Sequence, residues 1–167
     1  MPASSPAQDI RPAEGPRHLD LLRGLFRAYA ASIGVSLDFQ DFDAELEGLP
    51  GDYAPPRGRL LLAWQEGEAI GCVALRPLEP EVCEMKRLYV GPAARASGLG
   101  RRLPVLPRRC ARPGAGYSRM RLDTLSTMTA ALGLYESLGF RPIPAYYFNP
   151  IPGAVYLELD LTRFPRG

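Results

Sequence analysis

Apolar residues recur at Leu19, Leu22, Leu25, Phe26 and Tyr29, the three-and-four spacing of one helical face, and Gly34 closes the run. The spacing predicts a helix over 18–31. Phe39, Phe42 and Leu46 predict a second, shorter helix over 38–46, and 10–13 reads as a short strand ahead of both. After a Gly/Pro-rich loop over 48–58 the pattern changes. Residues 59–65 and 69–76 are strand-like and flank Glu66-Gly67-Glu68, which predicts a hairpin. Another strand is expected over 81–90, joined through Pro77 to Pro80. A glycine turn then opens a helix. A strand over 119–124, a helix over 128–138 and a hairpin-like pair near Phe140 and over 154–161 complete the chain. Pro104 and Pro107 fall inside the helix after the glycine turn. A proline there removes a hydrogen bond and clashes with the preceding turn, at a cost of ~3 kcal/mol or more. That helix is therefore expected to be kinked or partly 3₁₀ after its first turn or two. There is no internal repeat, and the mixture of hairpins and crossovers implies a mixed sheet.

With 167 residues, the chain is long enough for one domain with a substantial core. Its 46% hydrophobic and 23% charged residues are ordinary for a globular protein. A net charge of +2 gives no support to nucleic-acid binding. Arg101, Arg102, Arg108, Arg109 and Arg112 form a cluster that reads equally as a solvated helix face or as the rim of a polyanion site. Cys72, Cys83 and Cys110 lack metal-ligand spacing and imply small packed thiols in a reducing, cytoplasmic setting. No apolar run approaches a membrane span. Residues 1–8 read as a disordered tail rather than a signal peptide, which leaves 9–163 as the folded domain.

The densest chemistry lies in 88–103. An apolar strand end, Leu88-Tyr89-Val90, passes through Gly91-Pro92 into Arg95-Ala96-Ser97-Gly98-Leu99-Gly100-Arg101 at the start of a helix. The first N–H groups of a helix have no partner within it and carry partial positive charge. Glycine admits close approach by a ligand, and an arginine fork suits phosphate oxygens. Together these make an anion cradle suited to a pyrophosphate. A dinucleotide fingerprint would need a third glycine where Leu103 stands, and the Gly-Lys-Ser/Thr of a phosphate-binding loop is absent.

Arg95-Ala96-Ser97-Gly98-Leu99-Gly100 resembles the Arg/Gln-x-x-Gly-x-Gly/Ala signature of the GNAT superfamily of acyl-CoA-dependent N-acetyltransferases. Glu84-Met85-Lys86-Arg87-Leu88-Tyr89-Val90 looks like the strand that precedes the signature in that family. Leu122-Asp123-Thr124 followed by Ala131-Leu132-Gly133-Leu134-Tyr135-Glu136-Ser137-Leu138-Gly139-Phe140 resembles its fifth strand and fourth helix. The resemblance implies a single α/β domain of the α+β type. Its mixed, mostly antiparallel sheet would have six to seven strands, with the fourth and fifth splayed apart, and about four helices would flank it. It implies acetyl-CoA as cofactor, held by Leu88, Tyr89, Val90, Arg95, Ala96, Ser97, Gly98, Leu99, Gly100 and Arg101. It further implies acetyl transfer to a primary amine on a small molecule or peptide, in a ternary complex. The alternative is an acyl-CoA-binding sensor of the same fold. A homodimer is frequent among such proteins.

By the same resemblance, the Tyr135 phenol would protonate the departing thiolate, and Glu84 would accept the amine proton. Period-two alternation puts Glu84 on the face of Val90, with Lys86 beside it as an ion-pair partner. Met128 stands where many members carry Asn, with Thr127 or Thr129 as substitutes. The loop Tyr146-Tyr147-Phe148-Asn149 either walls the acceptor pocket, through Lys86, Tyr146, Tyr147 and Asn149, or packs on the fourth helix. His18 reads as a surface or cap residue. Cys83 reads as a packed thiol rather than a nucleophile.

Overall fold

The computed structural model describes residues 7–34, 36–37, 41–95, 97–111 and 116–163. Ala96, most of the expected tail, Phe39 and Arg112 lie outside these residues, as do the side chains of Arg108, Arg109 and Cys110.

The strands are β1 (Gln8–Pro12), β2 (Arg59–Gln65), β3 (Glu68–Glu79), β4 (Val82–Val90), β5 (Arg119–Leu125), β6 (Arg141–Ile143) and β7 (Ala154–Asp160). The helices are α1 (Gly15–Ile33), α2 (Phe42–Glu47), α3 (Leu99–Ala111) and α4 (Thr129–Ser137). One seven-stranded sheet has the order β1-β2-β3-β4-β5-β7-β6. β4 and β5 pair in parallel, and the other neighbours are antiparallel.

Alternation along the strands feeds two cores. Leu61, Ala63, Val73 and Leu75 join Leu99, Leu103, Tyr135 and Phe140 beneath α3 and α4. Leu60, Leu62, Cys72 and Ala74 join Leu22, Phe26, Phe42 and Leu46 beneath α1 and α2. With helices on both faces, β2 is buried along nearly its whole length, which is why it reads as an apolar run. Its hairpin to β3 turns on Glu66 (φ 52°) and Gly67 (φ 80°), the two positive φ values that a type I′ turn needs.

α3 departs from one part of the expectation. It is unbroken α-helix from Leu99 to Ala111, with no 3₁₀ stretch at Pro104 or Pro107. Both prolines are buried, and the helix packs on β3 and β4. Burial of both residues offsets the two backbone bonds that the ring nitrogens cannot make.

Candidate active site

The site begins with one extra residue in β4. Across the β3–β4 pair, Cys72 faces Tyr89 and Ala74 faces Lys86, so two steps on β3 oppose three on β4. This is a β-bulge. Arg87 sits in it with φ 60°, a left-handed conformation that a side chain adopts only under constraint. The constraint is visible. The guanidinium, 3% exposed as a residue, spans both carboxylate oxygens of Glu45 on α2 at 2.9 and 3.1 Å. Tyr53 donates to the same carboxylate at 2.8 Å, and the Cys72 thiol donates to the Arg87 carbonyl at 3.3 Å. Phe42 lies under the guanidinium at 5.1 Å. Burial alone would raise the Glu45 pKa, but the Arg87 hydrogen bonds and charge hold it below the usual carboxylate value.

The bulge resets alternation, and this corrects one expectation. Leu88 and Val90 pack on the α3/α4 core, whereas Tyr89 packs on the α1/α2 core. Glu84 pairs with Arg76, whose register continues from Cys72 and Ala74 on the α1/α2 face. Glu84 and Val90 therefore lie on opposite faces. Glu84 is 1% exposed and fully engaged. Arg76 reaches Oε1 at 2.8–2.9 Å, Tyr146 donates to Oε2 at 2.6 Å, and the Lys86 ammonium stands 4.0 Å from Oε1. Burial pulls the Lys86 pKa below its ordinary value, and the Glu84 charge opposes that shift.

Beyond this cluster the sheet opens. β4 pairs with β5 only at Val82, Cys83 and Glu84, opposite Arg119, Met120 and Arg121. From Met85 and Leu122 onward the strands instead border a cleft of about 110 Å³. Lys86, Arg87, Leu88, Asp123, Tyr135 and Asn149 are among its lining residues. Tyr135 is buried edge-on against Phe140 at 5.7 Å. Burial, reinforced by the nearby Tyr29 and Asp123, raises its pKa and keeps the phenol protonated at neutral pH. Met128, in the position where Asn was expected, lines the cleft, and the Thr124 hydroxyl contacts its sulfur at 3.6 Å. Thr127 and Thr129 are exposed.

At the same end of β4, a turn leads into α3. Gly98 has φ 86°, which requires glycine, and its carbonyl accepts from the Arg101 and Arg102 N–H groups at 3.2 Å. Gly100 has no such conformational need. A Cβ added at Gly98 or Gly100 would meet no protein atom within 4 Å. This leaves the N-terminal face of α3 open to a ligand. Arg95 is exposed and donates to the Val90 carbonyl at 3.2 Å. Ser97 accepts from Gln8 at 3.1 Å, and Arg102 donates to Gln8, so β1 braces the turn. Leu99 is fully buried and anchors the helix start.

From the loop over 144–151, Asn149 and Ile151 line the cleft. Tyr147 and Asn149 both donate to Oδ2 of Asp123, the latter at 3.0 Å. Tyr146, Tyr147 and Tyr156 pack with centroids 5.3–5.7 Å apart, and Arg121 sits over the Tyr146 ring at 5.4 Å. His18 accepts from the Glu14 N–H at 2.8 Å and stacks near Trp64 at 5.2 Å, away from the cleft. Cys83 is buried with its pKa pushed up to about 12, chiefly by desolvation, and so remains a thiol.

Sequence patterning missed Arg76, Glu45 and Asp123. Arg76 and Glu45 act through contacts distant in sequence. Asp123 was visible as the acidic residue of a half-buried strand, but nothing local marked it as facing the cleft.

Residues 56–142 match the model of the acetyltransferase (GNAT) domain. An uncharacterized N-acetyltransferase of Schizosaccharomyces pombe is 43% identical over 152 residues, covering 89% of this chain and 91% of that protein. The uncharacterized N-acetyltransferase YjgM of Escherichia coli is 32% identical over 144 residues, covering 83% and 84%. Among solved structures, the PaiA N-acetyltransferase of Thermoplasma acidophilum in complex with coenzyme A superposes with a TM-score of 0.71 at 17% identity. That superposition covers 92% of this chain and 99% of the other. The fold and the opened β4–β5 edge define an acyltransferase, and the chain belongs to the GNAT acetyltransferase family.

Proposed function

We propose that this protein transfers the acetyl group of acetyl-CoA to a primary amine by direct attack in a ternary complex. The observation that carries the reading is the early end of β4–β5 pairing, which leaves strand edges beside Tyr135 and a glycine turn open to a ligand. The residues fit coenzyme A. Segment 95–101, including Ala96, would hold the diphosphate through the N–H groups of the first turn of α3, with Arg95 and Arg101 adding charge. Leu88, Tyr89 and Val90 would offer backbone groups to the pantetheine amides, as a sheet edge does to an added strand.

When bound, the thioester supplies an activated acyl carbon. The ammonium first gives one proton to water; its nitrogen then forms a bond to that carbon as the carbon–sulfur bond breaks, and the second proton leaves the nitrogen to water as the amide forms. Tyr135 holds a proton that it gives to the departing sulfur. Glu84, fixed between Arg76, Lys86 and Tyr146, sets the charge on the acceptor side. Tyr147 and Asn149 orient the Asp123 carboxylate there. The same reading places the protein in a reducing compartment such as the cytoplasm, where Cys72 and Cys83 stay thiols.

The test is release of free thiol from acetyl-CoA with a panel of primary amines. Amine-dependent release with sequential initial-rate kinetics, reduced in Tyr135→Phe, is expected. Release without amine dependence, or parallel-line kinetics from an acetylated enzyme, would overturn the reading.

A further inference from the structure

Two carboxylates stand near the cleft, and only one can meet an acceptor. Glu84 is sealed beneath Arg76 and Tyr146 and is not part of the lining. Asp123 lines the cleft, and Tyr147 and Asn149 both bond to a single oxygen, Oδ2. Among the described residues, this arrangement leaves Oδ1 for a ligand while its partners fix the carboxylate.

A second, wider hollow of about 670 Å³ meets the cleft at Asn149 and Ile151. Tyr146, Tyr147, Tyr156 and Phe148 line it. Phe148 is 84% exposed, the most exposed large apolar side chain among the described residues. An aromatic ring held in water beside an aromatic wall marks a place for an apolar group. Asp123 is the one carboxylate among the lining residues, and the two lining cations, Lys86 and Arg87, are already paired with Glu84 and Glu45. A molecule with several ammonium groups would find no second carboxylate for them among the residues lining the cleft or the hollow.

We propose that Asp123 receives the ammonium of the acceptor and that the basin of Tyr147 and Phe148 takes its body, so that the acceptor is a monoamine with an aromatic or bulky apolar group and not a polyamine. This rests on the acetyltransferase reading above and names the substrate class of the same site. The amine arrives as ammonium near neutral pH, since such groups titrate near ~10.4. The Asp123 charge holds it while the ring stacks on the exposed aromatic edge.

Calorimetry on the full chain with coenzyme A present tests this without turnover, using phenethylamine, ethylamine and spermidine as probes. Phenethylamine is expected to bind at least about tenfold more tightly than either of the others. That advantage over ethylamine falls to about twofold or less in Phe148→Ser, whose exposed position spares the fold. Asp123→Asn weakens phenethylamine at least about tenfold, with circular dichroism and coenzyme A binding as controls on folding. Spermidine binding as tightly as phenethylamine would overturn the proposal. So would an aromatic preference that survives Phe148→Ser, or an affinity unchanged in folded Asp123→Asn. Acetylation assays separate the two readings. Turnover that favours spermidine sinks this one alone, and the expected binding pattern with no acetylation of any amine sinks the other alone.

Discussion

In the proposed transfer, Tyr135 would act as the acid, and it is both buried and held protonated. Its environment raises the phenol pKa, so the hydroxyl is a donor and not a base across the neutral range. Loss of a positioned acid costs about 10²–10⁴ in rate. Tyr135→Phe is therefore expected to lower kcat about a hundredfold, with much less change in KM for acetyl-CoA. A rise in KM at constant kcat would instead make Tyr135 a packing group. The glycines of the turn separate conformation from space. Gly98 needs its positive φ, so Gly98→Ala strains the backbone, whereas Gly100→Ala only fills room. Gly100→Ala should leave thermal stability nearly unchanged and raise KM for acetyl-CoA several-fold, as read from initial rates. Cys83 offers a control at the same scale. Its buried thiol, with a pKa near 12, should resist alkylation at pH 8 in the folded protein and react once the chain is unfolded in denaturant.

Between β4 and α2, one ion pair determines the shape of a strand. Removing one partner of a buried pair leaves the other charge unpaired, at a cost of about 3–5 kcal/mol. Glu45→Ala should lower stability by about that amount in urea unfolding, because Arg87 has nowhere else to put its charge. The pair also sets a pH dependence with a definite sign. The folded Glu45 carboxyl has a lower pKa than the unfolded one, near 4.5, so the unfolded chain binds more protons as pH falls through that value. The stabilisation is present above pH 4.5 and is lost as pH falls through the folded pKa. Glu45→Gln should flatten the acid limb of the stability curve. Elements with strong local patterns were legible in sequence: the 3–4 spacing of α1, the apolar density of β2 and β3, and the glycine turn before α3. The bulge was not, because Arg87 looks like one more alternating position until Glu45, 42 residues earlier, is seen to claim it. Period-two reading therefore put Glu84 and Val90 on one face. The expected 3₁₀ stretch in α3 is absent for a similar reason, since the local penalty of Pro104 and Pro107 was visible but their burial was not.

The whole sheet is two pieces joined at a short seam. β1 to β4 form one continuous antiparallel unit, β5, β7 and β6 form another, and three residue pairs of β4 and β5 link them. Past Glu84, strand edges that would be hydrogen-bonded in a closed sheet face the cleft instead. Such edges lower the cost of local opening, so this region is expected to exchange amide hydrogens faster than β2 and β3. A ligand that bridges the gap joins the two pieces and binds only the folded chain. At a hundredfold excess over Kd, such a ligand adds about 2.7 kcal/mol of stability. For a chain of this size each kcal/mol is worth roughly 2–4 °C in Tm, so acetyl-CoA should raise Tm on the order of 5–10 °C. The gain has a location. Amide exchange should slow in residues 85–90 of β4, in 122–125 of β5 and at the start of α3, while the β1–β2 edge changes little. A comparable rise in Tm without protection along the seam would show that the cofactor grips the surface of α3 alone, and that the gap between β4 and β5 is not where the thioester lies.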